Sequence, residues 1–122
     1  MHPQGKAIIL LGHGSRDPLW RRPIEAVAER LTRKHAGLAV HCAYLELEPP
    51  DLAAAAAQLA AAGAERVTIV PIFLGAGKHA RDDLFRMLEQ VRQTHPAVRF
   101  DLQPPVGEDP RILDLIAAIA AE

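Results

Sequence analysis

A chain of 122 residues, 49% apolar and 24% charged, is large enough to bury a core without disulfide or metal staples, which excludes a disordered chain. Its formal charge of −1 gives no electrostatic case for nucleic acid or an anionic membrane, and 4% aromatic content argues against a stacking platform for single strands. Cys42 stands alone, the start MHPQGKAIILLGHG lacks a signal-peptide pattern, and the alanine-rich stretch 52–62 is too short to span a bilayer; the expected location is the cytoplasm.

In chain order, the first β-rich run is Ala7–Leu11, which breaks into the glycine-flanked histidine of LLGHGSRDP (10–18). Ile24, Val27, Ala28 and Leu31 then fall at i, i+3, i+4 and i+7, a helical stripe with Pro23 in its first turn. A second strand is expected over Leu38–Leu45, followed by a helix capped by Asp51 and stopped at Gly63. Arg66–Phe73 forms a third strand, and a helix from about Ala80 carries Leu84, Met87, Leu88 and Val91 on one face. Val98–Leu102 is the fourth strand. A last helix, from about residues 108–110, places Ile112, Leu115, Ile116 and Ile119 on one stripe. The strands read as buried on both faces.

Strands alternating with helices at these lengths imply parallel strands and right-handed crossovers. The expected fold is α/β: one domain over residues 1–122, a three-layer, doubly wound, four-stranded parallel sheet in the flavodoxin-like order 2-1-3-4. Ligands of such sheets bind outside the carboxyl ends of the strands, where the winding reverses, here between the first and third. The loops at that point are GHGSRDP (12–18) and LGAGKHARDD (74–83), each with a histidine beside glycines: His13 and His79. YLELEPP brings Glu46 and Glu48 to the same edge.

Two facing imidazoles suit a divalent transition metal, with a carboxylate available as a third ligand, and they also suit proton abstraction near neutral pH. Gly75, Gly77 and the helix start after them offer backbone N–H groups to an anion, and Arg16, Lys78 and Arg81 add positive charge. The inferred ligand is anionic and either meets a metal or gives up protons. The other features read as ordinary. His35 and His95 sit at helix C-termini, His2 near the chain start and His41 in a strand; Trp20 and Cys42 read as packing residues. Gly12 and Gly14 supply backbone freedom, Glu46 and Glu48 read equally well as solvated, and Asp82 and Asp83 read as helix-opening carboxylates.

Together LLGHGSRDP, AYLELEPPDL, VTIVPIFLGAGKHARDDL and the tail PPVGEDPRILDLI resemble the short form of the CbiX family, class II tetrapyrrole chelatases that insert cobalt into sirohydrochlorin and are related to sirohydrochlorin ferrochelatases. The resemblance implies a chelatase-like half domain and a role in cobalamin biosynthesis. It makes His13 a metal ligand and acceptor of a pyrrole proton, His79 the second metal ligand, Glu46 a substrate contact, and Leu74, Gly75, Ala76, Gly77, Lys78 and His79 the substrate-binding loop. Sirohydrochlorin carries eight carboxylates, which gives Arg16, Lys78 and Arg81 their role as further substrate contacts. No tightly bound cofactor is implied; the divalent metal, cobalt before iron or nickel, is a substrate. Longer relatives have two such domains facing one cleft, so the resemblance implies a homodimer. The alternatives are a sirohydrochlorin ferrochelatase of sirohaem biosynthesis and a non-catalytic metal- or tetrapyrrole-binding module. A phosphohistidine-type phosphatase ranks below these, because its arginine before the histidine is replaced by Gly12.

Overall fold

The computed structural model describes residues 5–122. Its strands are β1 (Lys6–Gly12), β2 (Ala39–Tyr44), β3 (Arg66–Pro71) and β4 (Arg99–Leu102), and its helices α1 (Arg22–Lys34), α2 (Leu52–Ala61), α3 (Lys78–Thr94) and α4 (Pro110–Ala120). Short 3-10 turns at Pro18–Arg21 and Val106–Glu108 precede α1 and α4. All strand pairs are parallel and the sheet order is β2-β1-β3-β4, as expected from the alternation of strands and helices. No described helix is long and apolar enough to cross a membrane.

The two faces of the sheet are covered unequally. On one, α2 and α3 set Leu52, Ala55, Ala56, Leu59, Leu84, Leu88 and Val91 against Ile9, Leu11, Val67, Ile69 and Phe100, and all of these are buried. On the other, α1 packs Ile24 on Leu10 and Tyr44, with Ala28, Leu31, Ile8 and Val70 only half-buried. The expectation of strands buried on both faces therefore holds for one face only. β3 alternates buried and half-buried residues along Val67–Pro71, and the stripe of α4 contributes no buried residue.

Local signals in the sequence set most boundaries. The Asp51 carboxylate accepts from the Ala54 N–H at 2.8 Å and starts α2, and Gly63, at φ +94°, follows its last turn. His35 and His95 are the C-caps of α1 and α3. Four expectations need correction. α3 begins at Lys78 rather than Ala80, because Gly77, extended at its N-cap, already releases the chain into the helix. Asp82 and Asp83 thus lie in its second turn, where Asp83 pairs with Arg86. Val27, placed on the core stripe of α1, is exposed. Trp20, taken as a packing residue, is 74% exposed because the 3-10 turn that carries it buries none of its residues. His2 lies outside the described residues.

Burial pushes the Tyr44 hydroxyl up to about 12. The folded state favours the neutral phenol. Its contribution to stability is fully present below the ordinary value near 10 and is lost as pH rises through about 12. Tyr44 is the chain's single tyrosine, so ultraviolet titration reads it directly. The native protein should ionise near the upper value and denatured protein near the ordinary one; equal midpoints would contradict the buried ring.

Candidate functional site

The carboxyl edge of the sheet gathers the loops that follow β1, β2 and β3. β1 is the central strand, with Leu11 opposite Ala43 of β2 and Pro71 of β3. Its pairing continues beyond the regular ladder on both sides. Leu45 N–H donates to the Gly12 carbonyl at 3.0 Å, Glu46 N–H to the His13 carbonyl at 3.1 Å, and Ile72 N–H to the Leu11 carbonyl at 2.8 Å. His13 is therefore held at its backbone by the segment after β2, and Leu11, two residues before it, by the segment after β3.

The glycine after His13 is required by contact as well as by conformation. Gly14 has φ +95°, and a Cβ there would stand 1.8 Å from the Glu46 carbonyl oxygen. Beyond it, Ser15 N–H donates to Glu48 Oε2 at 2.7 Å, while Glu48 Oε1 accepts from Arg21 Nη1 at 3.0 Å. The Glu48 side chain is only 6% exposed. It is a buried strut that ties the His13 loop to the turn before α1, where the sequence suggested a solvated carboxylate. Asp17 N–H donates to Ser15 Oγ and Leu19 N–H to Asp17 Oδ1, which completes the anchoring. A turn rich in glycine is thereby pinned residue by residue.

The His13 ring stacks on Phe73, with centroids 4.1 Å apart and planes inclined by 26°. Phe73 is buried just past the end of β3. Stacking occupies one face of the imidazole and leaves the nitrogens at its edge clear, while the residue as a whole stays exposed. From Phe73 the chain runs through Leu74, Gly75, Ala76 and Gly77 into α3, so His79 is exposed in the first turn of that helix at the same edge. Leu74, Gly75, Gly77 and Lys78 are exposed, and Ala76 is half-buried against the core. A Cβ on Gly75 or Gly77 would meet nothing, so neither glycine is demanded by packing.

The sequence-derived cations separate into two groups. Arg16 and Lys78 are exposed and form no ion pair among the described residues. Arg81 is engaged: it pairs with Glu108 and donates from Nε to the Ala76 carbonyl at 3.0 Å. It latches the Leu74–Gly77 loop to the turn after β4. Gly107 seals the same junction, donating to the Phe73 carbonyl at 2.9 Å in a position where a Cβ would lie 1.8 Å from the Leu74 carbonyl oxygen. Glu46 is exposed. Among the described residues no three His, Cys, Asp or Glu side chains come together as metal ligands, so the carboxylate third ligand is not assembled within one chain. The edge presents two imidazoles, a loop of free amides at a helix start, and two unpaired cations.

The structure brings His13, His79 and the loop between β3 and α3 to one sheet edge, and adds contacts that the sequence did not suggest: the Phe73 stack, the Gly107 junction, the Glu48 strut and the Arg81 latch. Glu48 stands directly before two prolines, the one local sign of a fixed turn. The contacts of Phe73 and Gly107 come from distant segments and leave no sign in the sequence.

Comparison with known proteins agrees with this fold. The family model described as CbiX matches residues 7–122. A sirohydrochlorin cobaltochelatase from Methanopyrus kandleri is 29% identical over 130 residues, covering 90% of this chain and 91% of its own. The crystal structure of a CbiX protein from Marinobacter aquaeolei VT8 superposes with a TM-score of 0.82 at 35% identity, over 95% of this chain and 94% of that one. The fold also matches the sirohydrochlorin chelatase SirB from Bacillus subtilis subspecies spizizenii, solved in complex with cobalt. That match has a TM-score of 0.80 at 22% identity, and covers 95% of this chain but 50% of SirB.

Removing the Glu48 carboxylate leaves the Ser15 N–H and Arg21 without their acceptor. Glu48→Ala should lower unfolding free energy by about 1–3 kcal/mol, and Glu48→Gln by less, since the amide oxygen still accepts. Glu46→Ala, with an exposed side chain, should stay within about 0.5 kcal/mol of the parent. Denaturant unfolding of the three variants measures this; equal effects of Glu48→Ala and Glu46→Ala would remove the strut.

Proposed function

The chain belongs to the CbiX family, and we propose on that premise that it inserts a divalent metal ion into sirohydrochlorin, cobalt before iron or nickel, in cobalamin biosynthesis. The observation that carries this reading is the exposed His13 imidazole, stacked on Phe73 at the sheet edge that also carries His79. The cobaltochelatase names of full-length relatives support the metal and the macrocycle. The ion is a substrate and no tightly bound cofactor takes part.

Insertion exchanges two pyrrole N–H protons for one divalent ion, releasing both protons and the ion's water. His13 and His79 hold the ion while water and macrocycle nitrogens fill its other positions. Two imidazoles can give up an ion that a closed four-ligand cage would retain. His13 accepts one pyrrole proton on the nitrogen that the ion vacates as it passes to the macrocycle, and the second proton leaves to solvent; the fixed backbone and stacked ring keep that nitrogen in one place. The macrocycle's carboxylates are met by the amides of Leu74, Gly75, Ala76 and Gly77 at the start of α3 and by Lys78 and Arg16, while Glu46, whose N–H is given to the His13 carbonyl, contacts the macrocycle away from its carboxylates. Arg81, through its latch on Ala76 and Glu108, shapes that loop.

The reading includes one α/β domain per chain, a cytoplasmic location and a homodimer. Half of SirB corresponds to this whole chain, so two copies supply the matching bulk. Sedimentation at micromolar concentration should give twice the monomer mass, and a fully active monomer would overturn the dimer.

The test of the reaction mixes protein, sirohydrochlorin and Co²⁺ and follows the macrocycle's absorbance. Turnover well beyond one equivalent is expected; a change that stops at stoichiometry identifies a binding module instead. His13→Ala and His79→Ala should each slow insertion by at least about 100-fold, the scale of a lost acid–base group. Both side chains are exposed, so the fold should survive. His41→Ala, in β2, should leave the rate unchanged. Ferrous and nickel ions in the same assay rank the metals.

A further inference from the structure

The loop Leu74–Gly77 carries free amides, and little in its own sequence fixes which way they face. A Cβ on Gly75 or Gly77 would meet nothing, and Gly77, at the N-cap of α3, is followed by no side-chain cap. Leu74 is 73% exposed, and only Ala76 is half-buried against the core. Two polar tethers hold the rest, and both come from the distant turn Val106–Glu108. The Gly107 N–H donates to the Phe73 carbonyl at 2.9 Å. Arg81 Nε donates to the Ala76 carbonyl at 3.0 Å, while its Nη2 pairs with Glu108.

Both tethers grip carbonyls. The Phe73–Leu74 and Ala76–Gly77 peptides are trans, and in a planar trans peptide the C=O of one residue and the N–H of the next point in opposite directions. Holding the Phe73 carbonyl therefore aims the Leu74 N–H away from the turn. Holding the Ala76 carbonyl aims the Gly77 N–H away from the Arg81 guanidinium. Among the described residues neither N–H has a hydrogen-bond partner. An anion site needs this arrangement, with N–H groups turned to the ligand and the carbonyls, which repel it, turned back. Arg81 thus stands behind the amides, with its charge already matched by Glu108.

We infer that Arg81 and Glu108 are positioning residues: with the Gly107 N–H, their ion pair aims the Leu74 and Gly77 amides at carboxylates of the macrocycle, and Arg81 does not itself touch the substrate. The inference rests on the function proposed above and names the residues that set the affinity of its loop. The planar fork of Arg81 matters as much as its charge, because different nitrogens of one rigid group hold a carbonyl and a carboxylate. A lysine ammonium keeps the charge without that geometry. Glu108 separates the two roles of Arg81 by sign. If Arg81 met the macrocycle directly, removing Glu108 would free a cation and tighten binding. If Arg81 holds the loop, the same change loosens it.

The test titrates metal-free sirohydrochlorin into the full chain, reads Kd from its absorbance, and then measures KM and kcat for Co²⁺ insertion. Glu108→Ala should raise Kd and KM by about 10-fold, the scale of one hydrogen bond to a charged group, with kcat within about 2-fold of the parent. Arg81→Lys should do the same, and Glu108→Gln, whose amide oxygen still accepts, should fall between Glu108→Ala and the parent. The Arg81→Ala, Glu108→Ala double variant should bind no more weakly than Arg81→Ala alone, since both changes remove one device. Circular dichroism checks the fold, and Arg81→Lys and Glu108→Gln decide the matter if Glu108→Ala unfolds. Parental or tighter binding by folded Glu108→Ala or by Arg81→Lys overturns the inference alone, as do additive losses in the double variant. A parent that binds no sirohydrochlorin overturns the proposed function and the inference with it.

Discussion

A parallel strand paired on both sides cannot shift register without breaking two ladders, and β1 is such a strand, bonded to β2 and β3 along its length. That double pairing places the end of β1 between two neighbouring strand ends and so decides where His13 stands. The pairing extends past the regular ladder, through the Gly12 and His13 carbonyls on one side and the Leu11 carbonyl on the other. The loop leaving β1 is not free to wander. The histidine inherits the rigidity of the sheet's centre while its side chain remains at the surface.

Two long-range contacts then convert position into orientation. Glu48 takes its carboxylate out of solvent, a costly step for an unpaired charge, and is satisfied by a backbone N–H and a guanidinium. Phe73 supplies a flat apolar face for the imidazole. The two act on different parts of the same loop, one on the backbone just beyond His13 and the other on its ring. In the proposed reaction a group that holds an ion and then accepts a proton benefits from both, since either chemistry depends on where the ring nitrogen sits.

The two faces of the sheet differ in how far the chain covers them. One face is sealed by α2 and α3 with fully buried side chains, whereas the other has α1 alone. α4, with its apolar stripe and no buried residue, adds nothing to the cover of the half-covered face. The Arg81–Glu108 pair stands at the junction of that imbalance with the site, because it fixes both the loop into α3 and the departure of α4.

The sequence by itself determined the alternation of strands and helices, the sheet order, the Asp51 cap, the glycine stop after α2 and the edge that carries His13 and His79. These follow from periodicity and from residues whose preferences act on their own backbone, and such signals lie within a few positions of their effect. It also carried the family likeness, since GHGSRDP and LGAGKHARDD lie on the loops that the sheet order brings to one edge. Only the tertiary structure decided that Glu48 is a buried strut rather than a solvated carboxylate, that Phe73 supports His13, and that Arg81 latches a loop. It also decided that Trp20 and the α4 stripe remain uncovered. The reason is common to all of these: burial and pairing depend on what another segment, tens of residues away, brings to the same place. Side-chain identity alone fixes neither the neighbour nor the solvent it displaces.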